Sequence, residues 1–209
     1  MTGVIAAAKI SNAQVTGAVK GSTELVFRPG RIGCGEFRFD IGTAGAVTLV
    51  IQTILPILVF APPCRSTVTI TGGTDVPWSP PIDYVRFVML PMLSLFGVKA
   101  EVKLVRRGHY PRGGGGEVVL TVEPSKLRPV EVVEFGDLRE VRGGISHAVR
   151  LPAHVAHRQA NSAREYLVKA GGVKVPIDIA VETYEQGKDH TWGGRAVVLS
   201  SGPCRARAW

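Results

Sequence analysis

Apolar and polar positions change period several times along the chain, and each change marks an element. Residues 36–41 alternate as a strand buried on one face does, and 66–71 are rich in β-branched residues and predict a second strand. Between them lie 18 consecutive uncharged positions, residues 44–61, opened by Gly42-Thr43-Ala44-Gly45. This run predicts a long apolar helix with Thr43 as its N-cap. Gly72-Gly73-Thr74-Asp75 and the prolines Pro77, Pro80 and Pro81 predict a loop leading into a second helix over 82–96. There Val85, Val88, Met92 and Leu95 follow helical spacing and Gly97 stops the run. Strands over 99–106 and 117–123, joined by a glycine-rich connection, complete a βαβαββ unit.

The start of the chain reads as the second half of the same unit: a helix over 4–11, then strands over 14–20 and 23–27. Either the chain begins inside a repeated domain, or a domain simply begins with a helix. On the first reading Val4, Ile5, Ile10, Val15, Leu25 and Phe27 expect apolar partners, and self-association is the expected result. After Pro129 the texture changes to a strand over 141–151, a helix over 152–170 with Pro152 near its first turn, and strands over 174–184 and 195–200. The tail 202–209 has no placeable pattern. The expected class is α/β (α+β), with residues 1–138 in a large domain of βαβαββ units and 139–209 in a smaller α/β piece.

Composition refines this picture in three places. At 209 residues and 45% hydrophobic, the chain can bury a core. Its net charge of +8 favours anionic partners such as nucleic acid or nucleotides, without bearing on the fold. Cys34, Cys64 and Cys204 are far apart and form no C-x-x-C pair, so neither a disulfide framework nor a zinc knuckle is expected. That points to a reduced, cytoplasmic protein, and Met1-Thr2-Gly3-Val4 lacks the features of a signal peptide. The uncharged run reaches the lower limit for a spanning helix. Thr48, Gln52, Thr53 and Pro56 inside it, and the strands on either side, make it a core helix covered on both sides, so no membrane association is expected.

The segment richest in chemistry is Arg106-Arg107-Gly108-His109-Tyr110-Pro111-Arg112, followed by four glycines. Successive glycines let backbone N–H groups approach a phosphate, and the arginines add forked donors. Residues 99–128 hold seven Lys and Arg against three Glu, an excess of four positive charges. Tyr110 or His109 could offer a stacking face to a base. A solvated hairpin tip is the plainer alternative. Gln52, the most polar side chain in the apolar run, reads either as a functional amide or as a core amide bonded to backbone. His154 and His157, three apart on a helix with no third ligand, read as a solvated face, and no metal ligands are assigned.

The pattern Arg106-x-Gly108-x-Tyr110-Pro111-x-Gly113-Gly114-Gly115 closely resembles the signature of the RNA 3′-terminal phosphate cyclase family. Phe27-Arg28-Pro29-Gly30, Ile41 to Gly45, Leu49 to Pro56, Gly72 to Asp75 and Pro80 to Tyr84 fall in that family's order and spacing, so the resemblance covers residues 2–198. A fourth glycine, Gly116, departs from it, lengthening the turn by one residue and placing Glu117 where the returning strand usually begins. The resemblance implies repeated βαβαββ units, like the C-terminal domain of a bacterial translation initiation factor, with a smaller inserted α/β domain. It implies an ATP- and Mg²⁺- or Mn²⁺-dependent ligase converting an RNA 3′-phosphate to a 2′,3′-cyclic phosphate. A histidine first takes AMP from ATP and passes it to the terminal phosphate, which the neighbouring 2′-hydroxyl then attacks, expelling AMP.

By the same resemblance Gln52 matches a glutamine that contacts ATP and Pro80 a proline packed on adenine, while Arg106, Arg107 and Arg112 are expected to meet RNA or phosphate. None of His109, His147, His154, His157 or His190 occupies the family's nucleophile motif, which belongs to the last part of its chain. Its acidic metal site, Gly-rich opening and Arg/Gln cluster precede the part resembled here. The expectation is therefore a fragment of a cyclase, inactive alone. The alternatives are a non-catalytic cyclase-like RNA-binding protein assisting ribosome assembly and, against the Tyr110-Pro111 motif, an enolpyruvyl-transferase-like fold.

Overall fold

The computed structural model describes residues 1–61, 64–110, 115–134, 137–149, 151–184, 193–197 and 205–208. Packing divides the chain into two units: Met1–Ile82 with Gly97–Leu127, and Asp83–Phe96 with Arg128–Trp209.

The first unit contains α1 (Thr2–Ile10), the paired strands β1 (Gln14–Thr16) and β2 (Val26–Arg28), then β3 (Glu36–Asp40), α2 (Val47–Val59) and β4 (Ser66–Gly72). It ends with β5 (Lys99–Arg106) and β6 (Gly116–Glu123). A four-stranded sheet runs β3-β4-β6-β5, with β3 parallel to β4 and the other pairs antiparallel. Register places Val68 and Val102 opposite Leu120, and Ile70 opposite Val118, so period-two alternation gathers these side chains on one buried face. On that face lies α2, and α1 packs against α2 with Ala6, Ala7 and Ile10 buried. Being covered on two sides explains why α2 is apolar nearly all round, while Leu49, Gln52, Thr53 and Pro56 remain exposed. Ile51, Ile54 and Leu58 are almost wholly buried, each stabilising the fold by about 1.5–3 kcal/mol relative to exposure.

Several expectations need correction. α2 spans 47–59, not 44–61, and Thr43 is not its cap. The Val47 N–H donates to the Gly73 carbonyl at 2.9 Å, so a loop from elsewhere satisfies the helix start. The Thr43 hydroxyl instead accepts from the Gly45 N–H at 3.2 Å. β1 stops at Thr16 because Gly17 turns the chain at φ 84°, where an added Cβ would meet the Glu24 carbonyl oxygen at 2.2 Å. The returning strand begins at Gly116, not Glu117, and the β5–β6 register shifts between Leu104 and Arg106. Cys34 and Cys64, expected free, form a disulfide with Cα atoms 6.0 Å apart. They precede two strands that lie side by side, a proximity that spacing along the chain does not reveal.

In the second unit the helix expected over 82–96 is α3 (Ile82–Tyr84), a π-helical turn (Val85–Met89) and α4 (Leu90–Leu95). The wide turn comes just before Pro91, whose missing N–H and ring disfavour a regular ladder there. Strand β8 (Val141–Val149), helix α5 (Ala153–Lys169) and strand β9 (Ile177–Tyr184) form a parallel crossover, with β10 (Gly193–Val197) antiparallel on the other edge of β8. α5 packs on this sheet with Ala156 and Ala160 buried. The tail thought to lack a pattern contributes β11 (Arg205–Ala208), antiparallel to β7 (Val130–Glu134). Among the described residues no helix is long and apolar enough to cross a membrane.

Candidate functional site

Register brings the glycine-rich segments of the first unit to one end of its sheet. Asp40 pairs with Thr71, Gly72 with Gly116, and Arg106 with Glu117. The segments of residues 41–46, 73–81 and 107–110 therefore all leave from the carboxyl end of the parallel β3–β4 pair, the end at which open α/β sheets bind ligands.

The first loop is held by Asp40, whose Oδ1 accepts from the Thr71 hydroxyl at 2.7 Å and the Gly42 N–H at 3.0 Å. These two bonds, the hydroxyl's being the larger effect, hold the Asp40 carboxyl below its ordinary pKa. Glycines let the three loops lock together by backbone. A Cβ on Gly73 would meet the Ala44 carbonyl oxygen at 2.6 Å, and one on Gly116 would meet the Gly72 carbonyl oxygen at 2.6 Å and the Gly108 nitrogen at 2.9 Å. Ordinary side chains cannot occupy those positions, which gives the fourth glycine of the run a packing role.

The second and third loops are joined by polar bonds. The Gly108 carbonyl accepts from the Thr74 N–H at 2.8 Å and the Asp75 N–H at 3.2 Å, and the Gly108 N–H donates to the Thr74 hydroxyl at 3.0 Å. That hydroxyl donates to Asp75 Oδ2 at 2.7 Å, and the Arg107 guanidinium reaches the same oxygen at 3.2 Å. Both side chains of this ion pair are buried, at 1% and 0% exposure. The sequence groups Arg107 with Arg106 and Arg112 as phosphate donors. In the structure Arg107 faces inward, and its burial beside Asp75 keeps it from a phosphate at the surface. Arg106 is exposed, its Nε donating to the Gly115 carbonyl, and Tyr110 is 65% exposed. Arg112 lies outside the described residues.

Gln52 is exposed on α2, so the reading of it as a core amide does not hold. One turn earlier on the helix, the Thr48 hydroxyl donates to the Pro80 carbonyl at 2.9 Å, fixing the half-buried Pro80. The bond ties the Pro80 loop to α2, on which Gln52 lies one turn further along. Pro56, four residues past Gln52, has no N–H for the Gln52 carbonyl, which leaves that helix turn with an open acceptor. His154 and His157 are exposed on α5, in the other unit.

Sequence reasoning missed Thr48, the partnership of Asp75 with Arg107, and Trp78. The contacts joining these loops span 32 to 34 residues, beyond the reach of local periodicity. An Asp directly after Gly-Gly-Thr, at the end of a buried strand, was the available signal for a buried charge.

A profile of the family described as RNA 3′-terminal phosphate cyclase matches residues 1–197. Curated relatives of that description include one from Caldivirga maquilingensis, 53% identical over 201 residues, 95% of this chain and 55% of the relative. One from Pyrobaculum aerophilum is 52% identical over 187 residues, 90% of this chain and 52% of the relative. One from Methanopyrus kandleri is 46% identical over 197 residues, 94% of this chain and 55% of the relative. The chain spans about half the length of these relatives.

Proposed function

Since the chain belongs to the RNA 3′-terminal phosphate cyclase family, we propose that it serves the ATP-dependent conversion of an RNA 3′-terminal phosphate to a 2′,3′-cyclic phosphate, a ligase-class step of cytoplasmic RNA processing. The observation that carries this reading is the family match over residues 1–197. On this reading residues 1–138 are part of the family's large domain and 139–209 part of its inserted domain, whereas packing groups residues 83–96 and 128–138 with the second unit.

ATP would supply the adenylyl group that makes the terminal phosphate a good electrophile. The residues present fit a nucleotide. Gln52 offers an exposed amide that both donates and accepts, and Pro80 offers a ring held in place through its own carbonyl. Arg106, Arg112 and the glycine-rich loop supply donors for the RNA 3′-phosphate, and the Asp75–Arg107 pair and the Gly108 carbonyl hold residues 107–108 against residues 74–75. A divalent cation fits this end of the sheet less well. Mg²⁺ and Mn²⁺ seek several oxygen ligands, whereas here Asp75 Oδ2 is taken by Arg107 and Thr74, its unbonded Oδ1 is buried, and Asp40 Oδ1 is engaged by Thr71 and Gly42.

The test compares two oligoribonucleotides of one sequence, ending in a 3′-phosphate or a 3′-hydroxyl, in titrations of the 209-residue chain. Tighter binding of the phosphorylated end is expected, with the preference reduced in R106A/R112A and a shallower salt dependence in that variant. Q52A should weaken ATP binding without changing RNA affinity. Equal affinity for the two ends would sink the reading.

A further inference from the structure

Trp78 stands in the loop of residues 73–81 with its side chain 100% exposed and its backbone at φ 63°. Both features work against stability. The left-handed region is uncommon for any residue but glycine and a genuine outlier for a bulky one, and an indole left in water gains nothing from burial. Strain of this kind persists only where the surroundings over-determine it. Here they do: the Ile82 N–H donates to the Thr74 carbonyl at 3.0 Å, the Ser79 hydroxyl to the Val76 carbonyl at 3.0 Å, and the Thr48 hydroxyl to the Pro80 carbonyl at 2.9 Å. The loop is pinned on both sides of the tryptophan, so the ring is held out on a firm base. No described residue covers the ring.

The surroundings indicate what that is. The neighbouring loop at the same sheet end carries the 65% exposed Tyr110 and the exposed Arg106, in a chain of net charge +8. Flat aromatic faces interleaved with guanidinium groups bind unpaired bases, while the cations follow the phosphates. A mononucleotide is a poorer match, because such ligands lie in concave pockets that bury most of their surface, whereas this ring is wholly outside. An apolar protein partner is poorer too, given the chain's net charge of +8 and the exposed Arg106 at this end of the sheet. We propose that Trp78 is a stacking platform for an unpaired base of an RNA strand bound at the end of the sheet that carries Arg106 and Tyr110. This deepens the RNA reading above and rests on it.

The test titrates the full chain and its W78A, W78F and W78G variants with a 3′-phosphorylated oligoribonucleotide and, separately, with ATP. W78A should weaken RNA binding roughly 5- to 100-fold, the range expected for one lost base stack. W78F should recover most of the loss, and the salt slope should stay the same across the set because no phosphate contact is removed. W78G should bind RNA as poorly as W78A yet melt at the same temperature or higher, since glycine relieves the positive φ. That split between stability and binding is not what a structural tryptophan would give. Unchanged RNA affinity in W78A and W78G overturns the inference alone. So does an equal loss of ATP affinity, which would make the ring an adenine contact, or a loss confined to self-association, which would make it a protein contact. No RNA binding by the unsubstituted chain overturns both the inference and the function it rests on.

Discussion

Asp75 and Arg107 form a buried pair 3.2 Å apart, and their value lies in each needing the other. Removing one partner leaves an uncompensated charge, which costs about 3–5 kcal/mol, whereas replacing both with apolar residues is far less damaging. R107M is therefore expected to lower the unfolding free energy by about 3–5 kcal/mol in urea titrations, and D75L/R107M to lose less than R107M alone. Losses that simply add would show that the pair is not coupled. Asp40 shows the same logic at the surface. Its carboxyl is held below its ordinary pKa by the Thr71 hydroxyl and then the Gly42 N–H, so the folded chain binds its proton more weakly than the unfolded chain does. The stabilisation is fully present above the unfolded value of about 3.9 and is lost as the pH falls through the lower folded value. The stability gap between wild type and D40A should be constant at neutral pH and narrow only on the acid side. A gap that narrows as the pH rises would contradict the Asp40 turn.

At the scale of elements, local pattern and non-local contact divide the work. β5 occupies residues 99–106, as its alternation predicts, because Val102 needs the buried face and its neighbours do not. The start of α2 was not legible, since its first N–H is satisfied by Gly73, 26 positions away by number, rather than by a residue near it in sequence. The site divides in the same way. Its glycines and arginines stand out in the sequence, but which arginine turns inward depends on Asp75, which reaches it only once β4 and β5 are in register through β6. The disulfide follows the same rule, joining Cys34 and Cys64 across a separation of 30 residues ahead of the two parallel strands. Closing a loop of that length removes unfolded-state entropy equivalent to about 3.5 kcal/mol in the chain-entropy model. Reduction, or C34S/C64S, should lower the melting temperature while leaving RNA affinity intact, because the bond lies at the opposite end of the sheet from the glycine loops. An unchanged melting temperature on reduction would mean that the strands hold this end without it.

For the whole molecule, the surface around α1 decides how the chain behaves in solution. Ile10, expected to need a partner, is fully buried with Ala6 beneath α1, so part of this half-unit is already satisfied. The rest is not: Met1, Ile5, Val19, Leu25 and Val26 are each 48% exposed or more, and Leu49 of α2 is 46% exposed. β1 and β2 pair only with each other among the described residues, and three residues per strand is too little for a two-stranded ribbon to be stable alone. Apolar side chains beside open strand edges favour a second copy of the same surface. The chain should therefore elute as a dimer or larger species whose size falls on dilution, and I5E/L25E should shift it to monomer. Amide exchange should be faster over residues 2–27 than over 43–60, where α2 is covered on two sides, and the difference should widen as the protein is diluted. A concentration-independent monomer with equal protection in both segments would show that α1 and the β1–β2 ribbon are stable on the contacts they already make.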